Sequence, residues 1–262
     1  MVNTRYCLKH NIPTLNWYQP NNKVLTLVAG GPSLNDSEGE IRASMKRGNG
    51  LVCVNNVAKW LMERKLWPGA QVLLDAREVN LSMPEPNIKI APVKYFVASQ
   101  CHIGMFKLLQ NKPVWLWHGG TVKYCRDEVD KAYREAGRVG AYPVISSGST
   151  VVLASLWLFY TLGYRAIELF GFDSCLGQGD HHAYIQSQND GCATFTQYIN
   201  GRAFKVHPWM AAQFDDFMRF SKHMAKDLDL VVHGDGMVAH ALRSTAELGV
   251  CDREVVINQV LQ

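Results

Sequence analysis

Short apolar runs alternate with amphipathic stretches along most of this chain. Seven apolar runs, each closed by small or polar residues, predict strands; they are Val24–Ala29, Leu51–Val54, Gln71–Asp75, Val93–Ala98, Val114–Trp117, Ala166–Phe170 and Leu228–Val232. Most of these runs are continuously apolar, which is typical of strands that are buried on both faces of a parallel sheet.

Helical patterns fall between the apolar runs. Helices are predicted over Val57–Lys65, Ile103–Gln110, Val151–Leu162, Phe214–Lys226 and Met237–Leu248. This alternation predicts an α/β fold of the Rossmann-like, doubly wound type with a mainly parallel sheet. Between Cys175 and Trp209 no period is visible, so residues 175–209 are interpreted as a polar lid inserted into a single nucleotide-binding domain, residues 1–262.

The first strand runs directly into a glycine-rich turn, V-L-T-L-V-A-G-G-P-S-L. Gly30 and Gly31 lack a Cβ, so their amides can turn toward a ligand, and the Ser33 hydroxyl can cap a helix or hold a phosphate oxygen. The turn matches neither the dinucleotide fingerprint nor the P-loop. A tight strand-to-helix turn without any ligand would produce the same pattern.

Polar residues follow several of the other predicted strands. Asn55 and Asn56 follow the second, Asp75 and Arg77 the third, and Asp173 follows the sixth. Because the carboxyl ends of parallel strands meet at one edge of the sheet, these groups are expected to line a single crevice. The asparagines are also good helix caps, which is an equally simple explanation for them.

A second turn suited to an anion precedes the apolar helix. Ser146, Ser147 and Gly148 lie just before its first residues, where free amides and hydroxyls can receive a phosphate or carboxylate. Together with the Gly30–Ser33 turn, this would serve an activated nucleotide. Ordinary helix capping by Ser147 or Ser149 remains open as well.

Composition narrows the class of protein. The chain has 262 residues, is 47% hydrophobic and carries a net charge of +4, which is below the strongly basic character of a dedicated nucleic-acid binder. Its seven cysteines are scattered and form no C-x-x-C pair, so neither a disulfide framework nor a zinc knuckle is indicated. With no export signal and no apolar run of membrane-spanning length, a cytoplasmic protein is expected.

The order of these motifs resembles a known family. Four motifs occur in this order: strand-G-G-P-S-L, C-V-N-N, I-S-S-G-S-T before an apolar helix ending L-G-Y, and I-E-L-F-G-F-D. They look like the motifs of one family group. That group comprises MptE-like 6-hydroxymethylpterin diphosphokinases, motility accessory factor flagellin glycosyltransferases and bacterial bifunctional sialyltransferases. The resemblance spans roughly residues 24–240. It implies a nucleotide bound across the residues that match its motifs, namely Gly30, Gly31, Ser33, Asn55, Ser146, Ser147 and Gly148; Asn56 is added as a neighbouring candidate.

The resemblance also implies catalytic residues in the lid. The sialyltransferase-like members have a lid histidine as general base, and His207 in F-K-V-H-P-W is the best match. A tyrosine expected just after G-x-D is missing, and Tyr184 is the nearest candidate. His181 and His182 are expected to contact substrate, because adjacent histidines are poor ligands for one zinc ion.

These residues support three hypotheses. The first is a glycosyltransferase that moves a sugar from a CMP- or UDP-type donor to a hydroxyl of a glycan, metabolite, protein or modified nucleic-acid base. The second is an ATP- and Mg²⁺-dependent pyrophosphokinase of the pterin type, with Asp173 and Asp75 near the metal. The third is a non-catalytic nucleotide-binding accessory protein. Haem, flavin and zinc are not expected, and a homo-oligomer is possible.

Overall fold

The computed structural model describes residues 2–84, 93–120, 123–138, 142–146, 148–177, 180–186, 191–224 and 226–247. Its helices are α1 (Val2–Lys9), α2 (Glu38–Lys46), α3 (Val57–Glu63), α4 (Ile103–Leu108), α5 (Lys123–Glu135), α6 (Val151–Thr161), α7 (Pro208–Met224) and α8 (Met237–Glu247). Two short 3-10 helices cover Pro32–Asp36 and Glu78–Ser82.

Ten strands alternate with these helices. They are β1 (Asn21–Val28), β2 (Gly50–Val54), β3 (Ala70–Leu73), β4 (Lys94–Ala98), β5 (Val114–Gly119), β6 (Val144–Ile145), β7 (Tyr164–Phe170), β8 (Phe195–Ile199), β9 (Arg202–Val206) and β10 (Asp229–Val232).

Eight of the strands form one sheet in the order β10-β7-β1-β2-β3-β4-β5-β6. Its strands are parallel, with Leu169 opposite Val232 at one side and Val97 opposite Leu116 toward the other. The order steps outward from β1 in both directions, which is the doubly wound arrangement. The predicted Rossmann-like α/β fold with a parallel sheet is therefore confirmed.

By internal contacts the chain divides into two compact units. Unit 1 comprises residues 1–25 and 50–165, and unit 2 comprises residues 26–49 and 166–262. In unit 1, β3 is buried along its whole length and α6 buries seven of its residues, as expected for continuously apolar sequence. In unit 2, the rings of Phe170, Phe214 and Phe217 are fully buried.

All seven predicted strands and all five predicted helices are present, with ends that differ by a few residues. The largest difference is α7, which begins at Pro208 rather than at Phe214. The predicted lid contains the antiparallel hairpin β8–β9, whose Phe195 pairs with Val206. Its function as a lid stays a prediction, as does the description of the chain as a single domain. In the part of the chain that the structure describes, no helix combines the length and apolar character needed to cross a membrane.

Candidate functional site

The glycine turn after β1 packs closely against the end of β7. The Ala29 N–H donates to the Phe170 carbonyl at 2.8 Å, and the Gly31 N–H donates to the Gly171 carbonyl at 2.7 Å. A Cβ on Gly31 would lie only 2.6 Å from that carbonyl oxygen and would also collide with the Asp173 carboxylate. The two strand ends approach this closely because Gly31 has no side chain.

Asp173 and Ser33 form a buried polar centre beside this turn. Asp173 is only 4% exposed, and its Oδ2 accepts the Ser33 backbone N–H at 2.9 Å. Burial raises the pKa of Asp173 above its ordinary value, although the hydrogen bonding from Ser33 acts in the opposite direction. Neither Asp173 Oδ1 nor Ser33 Oγ has a hydrogen-bond partner among the described residues. Buried polar atoms without partners are uncommon and call for an explanation.

The turn after β10 covers this centre. Gly234 has a φ of +97°, and a Cβ on it would collide with the Ser33 hydroxyl. A Cβ on Gly236 would lie 2.5 Å from the Asp173 Cα. The sequence Gly234-Asp235-Gly236 therefore lets the backbone lie directly on the two unpartnered oxygens.

A cleft of about 1080 Å³ opens beside the polar centre. It is lined by residues of the 3-10 helix at Pro32–Asp36, of α2, of the β10–α8 region and of the predicted lid, which includes β9. The polar and charged residues lining it are Ser33, Asn35, Asp36, Ser37, Glu40, Asp173, Asp180, His182, Arg202, Lys205, His233, Asp235 and Arg243. Its position at the carboxyl ends of β7 and β10 is where open α/β sheets bind ligands.

The predicted lid contacts the glycine turn directly. The Ala183 N–H donates to the Gly30 carbonyl at 3.0 Å. The Tyr184 ring lies over Gly30, so a Cβ there would approach the phenolic oxygen to 2.5 Å. Tyr184 thus contacts the predicted phosphate-binding backbone, which is consistent with the position suggested for it from the sequence.

His182 lines the cleft. Its Nδ1 lies 2.5 Å from the His181 carbonyl oxygen, and since a carbonyl only accepts hydrogen bonds, Nδ1 carries the proton. Burial lowers the pKa of His182, so the ring is neutral near pH 7 and its Nε2 holds a lone pair.

His207 occupies a more enclosed position. It is 6% exposed, its Nδ1 donates to the Ala193 carbonyl at 2.9 Å, and its ring stacks on Trp209 at 5.7 Å. The His181 ring meets it edge-on at 6.3 Å. His207 belongs to the same aromatic cluster as His181 and His182, but it is not among the residues that line the cleft.

A cluster of charges at the cleft was not anticipated from the sequence. Arg202 from β9 and Arg243 from α8 both bind the Asp235 carboxylate, and Lys205 follows on β9. Asp235 lies in the turn between β10 and α8. No sequence signal marks the arginines, because β8–β9 was not predicted and Arg243 sits within an ordinary amphipathic helix.

The remaining predicted residues lie in unit 1. Asn55 follows β2 with a φ of +43°, and its buried Oδ1 has no hydrogen-bond partner among the described residues. Asparagine adopts this left-handed conformation more readily than most residues do. Asn56 is the N-cap residue of α3, although its side chain makes no capping hydrogen bond.

Asp75 and Arg77 bind each other. The Arg77 Nη2 lies 2.6 Å from the Asp75 Oδ2, and the Arg77 backbone N–H donates to the same carboxylate. Burial alone would raise the pKa of Asp75, but the hydrogen bonds and charge of Arg77 outweigh it and hold the pKa below its usual value. The pair is therefore a mutual ion pair on the surface of unit 1.

The N-terminus of α6 is capped by Thr150 rather than by one of the serines before it. The Thr150 hydroxyl accepts the Leu153 N–H at 3.2 Å, which makes Thr150 the N-cap. Gly148 has a φ of +54°, and Ser146 is exposed. Ser147 lies outside the described residues.

Taken together, these features define a Rossmann-like α/β protein with a polar cleft at the strand ends, where this class of fold commonly binds ligands. Residues 1–179 match the family model described as "6-hydroxymethylpterin diphosphokinase MptE-like", and since this is more than half of the chain, the chain belongs to that family. The structure of the MAf glycosyltransferase from Magnetospirillum magneticum AMB-1 is similar, with a TM-score of 0.60 and 16% sequence identity. These findings confirm the resemblance to the MptE-like and motility accessory factor family.

The structural similarity covers 92% of this chain but only 38% of the glycosyltransferase chain. At 16% identity it shows a shared fold and nothing finer. A comparison with curated protein sequences finds no match. Family and fold together suggest a transferase-type enzyme.

Proposed function

We propose that this protein is a nucleotide-dependent transferase, and specifically a glycosyltransferase that moves a sugar from a nucleotide-activated donor to a hydroxyl acceptor. One observation carries the proposal: a neutral histidine, His182, faces a cleft at the strand ends beside a glycine turn. A neutral imidazole with a free Nε2 can take the proton of a hydroxyl while that hydroxyl attacks the sugar. The departing nucleotide phosphate would then need a hydrogen-bond donor at the Gly30–Ser33 turn, where the Gly31 and Ser33 amides are already bonded and the Ser33 hydroxyl has no partner among the described residues.

The sequence resemblance assigns the role of general base to one lid histidine, His207. In this proposal the role is shared between His182 and His207. His182 borders the cleft with an unprotonated Nε2, whereas His207 is enclosed between Trp209 and His181. In this proposal His182 accepts the proton and His207 positions the aromatic cluster around it. Tyr184, which lies over Gly30, would contact the phosphate on that turn.

Nucleotide binding by the unit 1 residues stays a prediction from the sequence resemblance. Asn55 offers an unpartnered amide oxygen, and Ser146 and Gly148 precede the N-terminus of α6. Amide oxygens accept hydrogen bonds from amino groups of bases and from ribose hydroxyls. Each of these residues can be tested alone, by its effect on nucleotide affinity.

A pterin-type diphosphokinase is the second candidate, because the family model carries that description. The carboxylates proposed for Mg²⁺ fit this role poorly. Asp173 Oδ2 accepts the Ser33 N–H, Oδ1 lies beneath the Gly234–Gly236 turn, and Asp75 is bound by Arg77. Among the residues that the structure describes, no group of three or more potential metal ligands occurs. No step of the proposed reaction is therefore routed through a metal.

Two measurements test the proposal. A thermal-shift screen with CMP, UDP, GDP, ADP and ATP, with and without Mg²⁺, is expected to show stabilisation by one nucleotide without metal. With the matching sugar donor, His182→Asn should lower kcat about 100-fold or more and leave donor affinity nearly unchanged. Stabilisation that requires Mg²⁺ and ATP would favour the diphosphokinase, and an active His182→Asn variant would exclude His182 as the base.

A further inference from the structure

Asp235 is held by two arginines in the way that a bound anion would be held. The Arg202 Nη1 and Nη2 donate to Oδ1 and Oδ2 of Asp235, both at 2.7 Å, and the Arg243 Nη2 donates to Oδ1 at 3.1 Å. This two-point fork is the geometry with which arginine recognises carboxylate and phosphate groups. The arginines come from different elements, β9 and α8, and meet at the rim of the cleft.

The arginine–carboxylate contact is exposed and exchangeable. The Asp235 side chain is 71% exposed, and those of Arg202 and Arg243 are 42% and 48% exposed. Ion pairs in such surroundings contribute little to stability, so another oxyanion can replace the carboxylate at small cost. Asp235 lies between two glycines, Gly234 and Gly236, whose backbone packs against Ser33 and Asp173.

Charges of both signs line the cleft. The cations are Arg202, Lys205 and Arg243, and the carboxylates include Asp36, Glu40, Asp180 and Asp235. Glu40 accepts a hydrogen bond from His233 at 2.6 Å. Asp235 is the carboxylate that both arginines bind, so an anion that binds both arginines in this way takes the place of Asp235.

We propose that Arg202 and Arg243 form an oxyanion subsite for a phosphate or carboxylate group of the substrate, and that Asp235 occupies this subsite in the absence of substrate. The subsite rests on the proposed function in taking the cleft as the substrate site. When a substrate anion displaces Asp235, the Gly234–Gly236 turn loses one of its attachments. That turn covers Ser33 Oγ and Asp173 Oδ1, so its release exposes two unpartnered groups to the ligand.

The test measures binding of simple anions by titration calorimetry. Inorganic phosphate and pyrophosphate represent the phosphate of a donor, and glucuronate represents the carboxylate of an acceptor. Asp235→Asn removes the competing charge and keeps the side-chain shape, so it should tighten binding of the preferred anion about fivefold. Arg202→Gln should weaken it about tenfold or more, and Arg202→Lys, which keeps the charge but loses the fork, should lie between them.

A second exposed ion pair serves as the matched control. Arg219 and Asp216 bind each other on α7 and do not line the cleft, so Asp216→Asn should change anion binding by less than twofold. Thermal melting of each variant checks that it is folded. The result that overturns the subsite is unchanged or weaker anion binding by folded Asp235→Asn, or loss of binding in Asp216→Asn as well.

The experiment separates this inference from the proposed function. If nucleotides stabilise the protein but Asp235→Asn binds anions no more tightly, the subsite is wrong and the transferase proposal stands. If Asp235→Asn tightens pyrophosphate or glucuronate binding but no nucleotide binds, the subsite stands and the nucleotide-dependent function fails. The anion that responds most strongly to Asp235→Asn identifies the substrate group as a phosphate or a carboxylate.

Discussion

His118 should make unit 1 sensitive to mild acid. It lies at the end of β5, is completely buried, and its Nε2 is 3.0 Å from the Tyr133 hydroxyl. Its Nδ1 has no hydrogen-bond partner among the described residues, and burial lowers the pKa of His118 from 6.5 to about 4. Protonating it in the folded protein would place a charge among the Tyr133 and Tyr142 rings.

The expected loss of stability follows from this pKa. In the unfolded chain His118 becomes protonated below pH 6.5, whereas in the folded protein it stays neutral down to about pH 4. Because the unfolded state binds this proton more readily, the free energy of unfolding falls as the pH is lowered. The full loss across this window is about 3 kcal/mol, and about 2 kcal/mol of it falls between pH 7 and pH 5.

Urea unfolding at pH 7 and pH 5 measures this effect. The glutamine of His118→Gln stays neutral at both pH values. Between pH 7 and pH 5, the free energy of unfolding of the wild-type protein should therefore fall by about 2 kcal/mol more than that of the variant. Carboxylates that titrate in the same range are common to both proteins and cancel. Equal losses in the two proteins would refute the reasoning, and His118→Asn repeats the test if His118→Gln does not fold.

The glycine turn and the α6 cap yield further predictions. Gly31→Ala should lower the free energy of unfolding measured in urea by about 1–3 kcal/mol, because its Cβ would collide with the Gly171 carbonyl oxygen, and it should abolish nucleotide-induced thermal shifts. The control is Gly39→Ala, whose Cβ meets nothing within 4 Å and which should leave stability unchanged or slightly raised. Gly30→Ala should destabilise less than Gly31→Ala, since it meets only the end of the Tyr184 side chain, which can move, and equal losses would contradict this. Thr150→Ala should cost about 1 kcal/mol through loss of the cap, and a change below measurement error would show that the cap is redundant.

The sheet was predictable because its strands are buried on both faces. The residues of β4 after its first residue form a continuous apolar run, and β3 is interrupted only by Gln71, which is itself buried. The hairpin β8–β9 was missed for the opposite reason: four of the five residues of β8 are exposed or half-buried, and its sequence FTQYI has no buried face to create a period. Helix α5 was missed because KYCRDEVDKAYRE is mostly charged and its apolar stripe is thin.

The site was predictable only where it follows the ends of predicted strands. Gly31 and Asp173 could be found because each comes directly after an apolar run, and the structure brings them into contact. The contact of Arg202 and Arg243 with Asp235 could not be predicted. Arg202 lies on a hairpin 33 residues from Asp235 in the sequence, and Arg243 lies on a helix 8 residues from it. A convergence of this kind exists only in three dimensions.

The family match ends at residue 179, so it includes only part of the cleft lining. The glycine turn, the 3-10 helix and Asp173 lie within the matched part, while β9, the Gly234–Gly236 turn and α8 lie beyond it. The two arginines that hold Asp235 therefore belong to a part of the cleft on which the family assignment has no bearing, and their contribution to binding has to be measured on this chain itself.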